Sequence, residues 1–283
     1  RFGRAAVFLE AAVLERGRSP ARVERPNAVL LILDALRADH VQAYGYQRPT
    51  TPWIDRLAAE GLLFENALAQ APMTIASMPS LLTGRYPPSH GVTPSTRLGA
   101  DIPTWPEVLR DAGYRTVGLS ANPFFGEDFG LDRGFQALHP LWLDTAGPRR
   151  GLDGVVPAEV VVEATTELLP ELREPFLLVV HFLQPHAPYA PSEPFLGAFG
   201  PLNEDFDGSE QTLVQASPER KRALLDAAID RYDENLRYVD DAVGPGHRQA
   251  VAKGADRRRG DAASAQPGER RQARIVPAID VTV

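Results

Sequence analysis

The feature that most constrains this chain is an unbroken apolar run, AVLLIL at residues 28–33, which ends abruptly at Asp34. A short apolar run bounded by polar residues is typical of a strand that is buried on both faces, as in a parallel sheet. In open α/β sheets the ligands and reacting groups lie just beyond the carboxyl ends of the strands. The run therefore predicts a parallel α/β sheet with Asp34 at its functional edge.

A second stretch, residues 74–84, is small and polar where Thr74 stands and then becomes apolar before Gly84 closes it. This pattern predicts a short helix with the Thr74 hydroxyl close to its N-terminus. Backbone N–H groups at that end of a helix favour an anion. The stretch is therefore a candidate for binding a negatively charged group.

Further strand and helix patterns alternate along the chain. Strands are predicted at residues 64–69, 115–120 and 175–182, and helices at 51–60, 105–112 and 158–169. This alternation predicts a doubly wound, mainly parallel sheet flanked by helices. Apolar residues spaced by three and four predict a last long helix that begins at Ser217-Pro218, and we expect Gly244-Pro245-Gly246 to end it.

Bulk properties exclude several classes of function. The net charge of −7 argues against a general nucleic-acid binder. The chain has no cysteine, so disulfides, thiolate metal ligands and a cysteine nucleophile are excluded. Residues 1–24 predict an amphipathic helical lead-in whose apolar runs fall short of the roughly 20 residues that a membrane span needs. No signal peptide is evident, so the localisation stays open.

Four short segments are weak signals one by one, but their order and spacing together form a specific set of motifs. They are residues 25–39 (RPNAVLLILDALRAD), 44–46 (YGY), 50–58 (TTPWIDRLA) and 80–87 (SLLTGRYP). These segments resemble the signatures of the sulfatase family, in the alkaline-phosphatase-like superfamily, and the match runs from about Arg25 to Gly244. The resemblance implies an alkaline-phosphatase-like α/β fold and an enzyme that hydrolyses small-molecule sulfate or phosphate esters with a divalent ion such as Ca²⁺, Mg²⁺, Mn²⁺ or Zn²⁺.

The resemblance implies a metal site at Asp34 and Thr74. Asp34 matches a metal ligand, although Asp is also a good helix N-cap. Most sulfatases have a second Asp directly after it, where this chain has Ala35. Thr74 stands at the position of the nucleophile, which is usually a Cys or Ser in Cys/Ser-x-Pro-x-Arg and is oxidised to formylglycine. Threonine cannot become formylglycine, so the resemblance implies a metal-activated alkoxide. The alternative is a helix-capping threonine in a decayed site.

Two further residues are candidates for contact with the substrate. His186, in Pro185-His186-Ala187-Pro188, resembles the family's substrate-binding histidine and would donate to an oxyanion or protonate a leaving oxygen. The alternative is a solvent-exposed loop histidine. Asn122 lies one residue past the position of a family lysine and is a candidate substrate contact. His181, at a strand end, is interpreted as a structural residue or as a residue that supports the groups of the site.

The superfamily's later Asp-His pair, which is followed by Gly and completes the metal site, does not occur in this sequence. Residues 244–283 hold eight basic and four acidic residues without periodicity, which predicts a disordered or out-of-frame tail. We therefore expect a truncated, C-terminally incomplete sulfatase-like domain over residues 25–243 that is inactive as this chain. The alternatives are a non-catalytic fragment and a phosphodiesterase-like or phosphoglycerol-transferase-like member of the superfamily.

Overall fold

The computed structural model describes residues 4–5, 25–143 and 155–261, with side chains for 25–143 and 155–244. Most of the predicted lead-in over residues 1–24 therefore lies outside the described residues, as does the end of the predicted tail, residues 262–283. None of the helices in the described ranges is long and apolar enough to cross a membrane.

A four-stranded parallel sheet forms the centre of the molecule. Its strands are β2 (Ala28–Leu33), β4 (Arg115–Ser120), β5 (Ala137–Pro140) and β6 (Phe176–Phe182), in the order β2-β6-β4-β5. A separate antiparallel pair joins β1 (Arg4–Ala5) to β3 (Ala67–Leu68), within the segment 64–69 predicted as a strand. The parallel α/β sheet is thus confirmed. β5 was not predicted, because its four residues, three half-buried and one, His139, exposed, show no strand pattern.

Helices connect and cover the strands. They are α1 (Pro52–Glu60), α2 (Thr74–Thr83), α3 (Pro87–His90), α4 (Trp105–Asp111), α5 (Ala158–Leu168), α6 (Glu210–Gln215) and α7 (Pro218–Asp261). Gly84 ends α2 in the left-handed conformation, with φ of 67°, as a glycine after a helix commonly does. Thr104 begins α4 with a capping box that pairs it with Glu107. The five longest helices begin within a residue or two of their predicted starts, whereas the short α3 and α6 were not predicted.

The two faces of the sheet pack against different helices, because successive side chains of a strand point to opposite faces. On one face, alternate residues of β2 and β6 pack against α2: Leu30, Ile32, Leu177 and Val179 contact Ile75, Met78 and Leu82. On the other face, the intervening residues pack against α5 and α7: Leu33, Leu178, Val180 and Phe182 lie with Val161, Leu236 and Val239. By this alternation Asp34 and His181 belong to the face that α2 covers.

The long helix α7 runs through Gly244-Pro245-Gly246 to Asp261, so the predicted helix end at Gly244 is wrong. A proline inside a helix removes one hydrogen bond and costs about 3 kcal/mol. The following residues, 247–259, are rich in Ala, Arg, Gln and Lys, which are strong helix formers and favour continuation. Gly244 also suits its place, because a Cβ there would lie 3.2 Å from the Trp53 indole. The segment predicted as irregular is therefore helical as far as Asp261.

Asp240, on α7, caps the N-terminus of α1. Its Oδ2 accepts the N–H of Trp53 and its Oδ1 accepts the N–H of Ile54, both at 2.9 Å. The N-cap residue of α1, Thr51, makes no such bond with its own side chain. Burial raises the pKa of the Asp240 carboxyl to about 7, against the two backbone hydrogen bonds that favour the charged form. The Asp240 carboxyl therefore changes its charge close to neutral pH.

This titration predicts a pH-dependent stability. Because the pKa in the folded chain lies above the unfolded value of 3.8, the folded chain binds an extra proton between the two values. The contribution of Asp240 is fully present below about pH 4 and is lost as the pH rises through about 7. As the pH falls from about 8 to 5, the melting temperature of the wild type should rise relative to that of Asp240→Asn. A difference that stays constant over this pH range would contradict this.

Candidate active site

The predicted site residues Asp34 and Thr74 meet where β2 ends and α2 begins. Asp34 is 1% exposed, and its backbone N–H donates to the Phe182 carbonyl at 3.1 Å, which extends the pairing of β2 with β6. Thr74, the first residue of α2, donates its hydroxyl to the Asp34 carboxylate, with Oγ1 lying 3.2 Å from Oδ1 and 3.1 Å from Oδ2. A hydroxyl group and a carboxylate are thus in contact at the edge of the sheet.

Neither of these residues caps a helix. The N-cap of α2 is Met73, and the Thr74 hydroxyl points to Asp34. The first helical segment after Asp34 is a 3₁₀ turn, Ala38–His40, whose N-cap is Arg37. The capping interpretations of Asp34 and Thr74 are therefore wrong, and the burial of these polar groups needs another explanation.

Asn122 joins the site from the end of β4. Its Nδ2 donates to Asp34 Oδ2, and its Oδ1 accepts the backbone N–H of Phe124 at 2.8 Å. The second bond determines which way the amide faces, because only the Oδ1 atom can accept from an N–H. Asn122 was predicted to contact a substrate, and in the structure it contacts the carboxylate of Asp34.

His181, on β6, adds a buried imidazole that the sequence analysis did not place in the site. Its Nε2 lies 3.5 Å from Asp34 Oδ2, and within the described part of the chain this nitrogen has no hydrogen-bond partner. Its Nδ1 lies 3.4 Å from Ser120 Oγ. A single histidine inside an apolar strand resembles a core residue, so only the pairing of β2 with β6 reveals its neighbour.

The electrostatics of the site favour a charged Asp34. Burial alone would raise the pKa of this carboxyl. Without a bound cation, a protonated His181, the charge of His186 and the hydrogen bond from Asn122 outweigh burial and hold the pKa of Asp34 below its usual value. Asp34 is therefore a carboxylate near neutral pH, which is the form that binds a cation.

His186 lies on the loop that follows β6, near the other residues but not in contact with them. The ring is half-buried, and its Nδ1 donates to the carbonyl of Ala187 at 2.6 Å rather than to Asp34 or Thr74. Its effect on the pKa of Asp34 shows that it lies within electrostatic range. The structure thus brings three predicted site residues into contact and leaves the fourth at the margin.

Two neighbouring groups of side chains have structural roles around the site. Arg37 and Asp39 form a local ion pair with Nη2 and Oδ2 2.7 Å apart. His90 packs beneath α2, where its Nδ1 accepts the Val92 N–H and its Nε2 donates to the Ala76 carbonyl, both at 3.1 Å. His90 is therefore a structural residue that supports the helix carrying Thr74.

The backbone after Asp34 is braced by Tyr232 of α7. Ala35 has a φ of 58°, a left-handed conformation that is unfavourable for a residue other than glycine. The Tyr232 hydroxyl donates to the Ala35 carbonyl at 2.9 Å and accepts the Arg37 N–H at 2.8 Å. One buried hydroxyl therefore satisfies two backbone groups of the turn that carries Asp34.

We expect Tyr232→Phe to lower the free energy of unfolding by about 1–3 kcal/mol, because both backbone groups lose their partner at a partly buried turn. Chemical denaturation followed by circular dichroism measures this change. Tyr86→Phe is the matched control, since Tyr86 is 71% exposed. Equal stabilities of the two variants would show that the Tyr232 hydroxyl does not brace the turn.

The donors at this site suit a divalent cation but form only part of a coordination shell. They are the Asp34 carboxylate, the Thr74 hydroxyl and the unpartnered His181 nitrogen. Structural and catalytic cations take about four to eight ligands. Across the described ranges, no group of three or more His, Cys, Asp or Glu side chains is arranged to hold a metal ion. The site therefore fits a metal ion that takes further ligands from elsewhere, including water or substrate.

Sequence comparison relates the chain to enzymes that carry sulfatase names. A profile of the sulfatase family matches residues 26–253, nine residues beyond the end predicted from the motifs. A Δ4,5-hexuronate-2-O-sulfatase of Bacteroides thetaiotaomicron is 27% identical over 178 residues, which are 60% of this chain and 36% of that protein. Arylsulfatase H of Homo sapiens is 39% identical over 133 residues, which are 42% of this chain and 23% of that protein. The chain thus spans about a third or less of the length of these relatives.

Solved structures share the fold. The phosphonate monoester hydrolase of Agrobacterium radiobacter superposes with a TM-score of 0.64 at 21% identity, over 81% of this chain and 60% of that chain. The periplasmic domain of EcEptC from Escherichia coli, solved in complex with Zn, superposes with a TM-score of 0.57 at 18% identity, over 89% of this chain and 64% of that chain. At these identities the likeness shows an alkaline-phosphatase-like α/β fold. Because the family profile covers most of its length, the chain belongs to the sulfatase family.

Proposed function

We propose that this chain carries the nucleophile half of an active site that cleaves sulfuric or phosphoric esters. The observation that supports this most is the Thr74 hydroxyl at the start of α2, hydrogen-bonded to both oxygens of the buried Asp34 carboxylate. A helix N-terminus favours the anionic ester group, and the carboxylate orients the attacking oxygen. The proposed substrates are small-molecule esters such as aryl or carbohydrate sulfates.

In the proposed reaction, Thr74 Oγ1 forms a bond to sulfur or phosphorus while the bond to the leaving oxygen breaks. The hydroxyl proton leaves toward Asp34, which already accepts its hydrogen bond. A divalent metal ion held by Asp34 and Thr74 would neutralise the ester oxygens and favour the alkoxide form of the threonine. This chemistry does not require the formylglycine that threonine cannot form.

His186 and Asn122 are proposed to act on the substrate. The Nδ1–H of His186 is engaged with the Ala187 carbonyl, which leaves Nε2 to carry a proton to the leaving oxygen. Asn122 Nδ2 contacts Asp34 Oδ2 and therefore lies beside the attacking hydroxyl, where it would also contact an ester oxygen. Both roles need a substrate small enough to reach the edge of the sheet between β2, β4 and β6.

Threonine also supports a second candidate function, phosphoryl transfer from a phosphodiester, as in the phosphodiesterase-like and phosphoglycerol-transferase-like members of the superfamily. An alkoxide serves a phosphoryl centre as well as a sulfuryl centre, and the formylglycine signature that marks many sulfatases is absent. A non-catalytic role in anion binding is the remaining alternative. The three differ in whether a leaving group is released and from which ester.

A pre-steady-state burst experiment distinguishes these functions. The chain is mixed with an excess of 4-nitrophenyl sulfate, or of bis(4-nitrophenyl) phosphate, with saturating Mn²⁺ or Zn²⁺. We expect a burst of nitrophenolate of about one equivalent per chain from at least one ester, which would indicate a covalent intermediate. The ester that gives the burst identifies the sulfuryl or phosphoryl function. No burst from either ester would favour the anion-binding alternative and contradict the proposal.

We further propose that this chain alone does not sustain repeated turnover. Among the described residues, the donors at the site are Asp34, Thr74 and the unpartnered His181 nitrogen, which are fewer than the roughly four to eight ligands that a cation takes. The burst should therefore be followed by little further release, even with added metal. Linear, metal-dependent release of many equivalents would contradict this part of the proposal while leaving the role of Thr74 in place.

A further inference from the structure

The unpartnered nitrogen of His181 points to a role that the sequence did not suggest. We propose that His181 Nε2 is a ligand of the divalent metal ion at Asp34 and replaces the second carboxylate that Ala35 lacks. The inference rests on the proposed function, because that function is the reason to expect a metal ion at Asp34. It concerns which side chains bind the ion and can be tested without measuring catalysis.

The partners of Ser120 assign the tautomer of His181. Ser120 Oγ donates its single hydrogen to the Asn122 carbonyl at 3.1 Å, so the oxygen is left as an acceptor. The Nδ1 of His181, 3.4 Å away, must then be the donor in this pair. A neutral imidazole with its proton on Nδ1 carries a lone pair on Nε2. In this neutral form, which a bound cation would favour, the lone pair lies beside the Asp34 carboxylate.

A lone pair beside a carboxylate is unfavourable in a dry place. His181 is 0% exposed and Asp34 is 1% exposed, so little water is available to separate them. A cation bound by both atoms removes the conflict. Two donors that lie about 2.0–2.2 Å from one metal ion are roughly 3.0–3.5 Å apart in tetrahedral or octahedral geometry. The 3.5 Å from His181 Nε2 to Asp34 Oδ2 and the 3.1 Å from Thr74 Oγ1 to the same oxygen fall in this range.

A charged His181 that forms an ion pair with Asp34 is the competing explanation. Such N–H···O bonds are typically about 2.7–2.9 Å long. At 3.5 Å the nitrogen is too far away for a good bond and is left without a partner among the described residues. The separation therefore fits two ligands of one ion better than it fits an ion pair.

The proposed ligand also affects which metal ion the site prefers. Most sulfatases have an aspartate where this chain has Ala35, and exchanging that carboxylate for an imidazole makes the ligand set less anionic and softer. Calcium favours oxygen ligands, whereas imidazole suits zinc and related transition metals. We therefore expect this chain to bind Zn²⁺ in preference to Ca²⁺.

The test combines calorimetric metal titration with pulsed EPR on the untagged 283-residue chain. Loaded with Mn²⁺, the wild type should show the nitrogen modulation of a coordinated imidazole. His181→Gln should lose that signal and bind Zn²⁺ at least about tenfold more weakly. The control His139→Gln, on the exposed part of β5, should keep both. The variant His181→Asp supplies an oxygen ligand in place of the imidazole. It should keep Zn²⁺ affinity and lose the nitrogen signal. It also keeps the test decisive if the glutamine variant fails to fold.

The outcomes separate this inference from the proposed function. If His181→Gln keeps the nitrogen signal and the affinity while Asp34→Asn loses binding, the metal site stands and His181 is not a ligand. If the wild type binds none of these ions, both His181 ligation and the metal dependence of the proposed reaction are overturned. Stronger binding of Ca²⁺ than of Zn²⁺ would also contradict the inference.

Discussion

Thr74→Ala is expected to reduce the nitrophenolate burst by at least about a thousandfold, because it removes the proposed nucleophile. Alanine lacks the oxygen that contacts both Oδ1 and Oδ2 of Asp34. The fold should survive, since alanine is a good helix former and one hydrogen bond contributes about 1 kcal/mol. Stopped-flow absorbance measures the burst, and circular dichroism confirms the fold.

Two further variants make this result specific. Thr83→Ala removes a hydroxyl from the other end of α2, where Oγ1 donates to the Pro79 carbonyl at 2.6 Å, and should leave the burst unchanged. Thr74→Ser keeps a hydroxyl at the site and should retain a measurable burst. A near-wild-type burst from Thr74→Ala would mean that another group attacks the ester.

Asp34→Asn should weaken divalent-metal binding by about a hundredfold or more, since the site loses its anionic ligand. The change should also cost about 1–3 kcal/mol of stability, because the new amide places a donor where Thr74 and Asn122 both donate. Calorimetric titration and chemical denaturation measure the two effects.

Asp39→Asn is the matched control for this change. Asp39 lies close in sequence but is exposed and paired with Arg37 at the surface. Its amide variant should keep the metal affinity of the wild type. If Asp34→Asn bound the ion as tightly as the control does, Asp34 would serve only to orient Thr74.

The positions of Asp34 and Thr74 could be predicted because each stands at the boundary of a regular pattern. An apolar run that stops at an aspartate marks a strand end, and a small polar start before an apolar stretch marks a helix beginning. Their contact follows from the parallel sheet, which brings strand ends and helix starts to one edge. Nothing in the local sequence of His181 distinguishes it from a core residue, so its place beside Asp34 depends on the pairing of β2 with β6.

Long-range contacts are involved in two other differences between the prediction from the sequence and the structure. Tyr232 looked like one more apolar position on the face of α7, yet its hydroxyl bridges the turn at Ala35 and Arg37, almost 200 residues away in sequence. The Gly-Pro-Gly segment predicted a helix end, but the helix-forming residues that follow favour continuation. Gly244 leaves room for the Trp53 indole, which a side chain at this position would crowd. Propensity rules describe local preference, and packing decides where two such preferences conflict.

The central claim is that Thr74, oriented by Asp34, is the nucleophile of a sulfuryl-transfer or phosphoryl-transfer site. The most direct measurement is peptide mass spectrometry of the chain after incubation with Zn²⁺ or Mn²⁺ and the ester that gives the burst. We predict one sulfuryl or phosphoryl adduct per chain, located on Thr74 and absent from both Thr74→Ala and Asp34→Asn. An adduct on another residue, or release of the leaving group with Thr74 unmodified, would contradict the account.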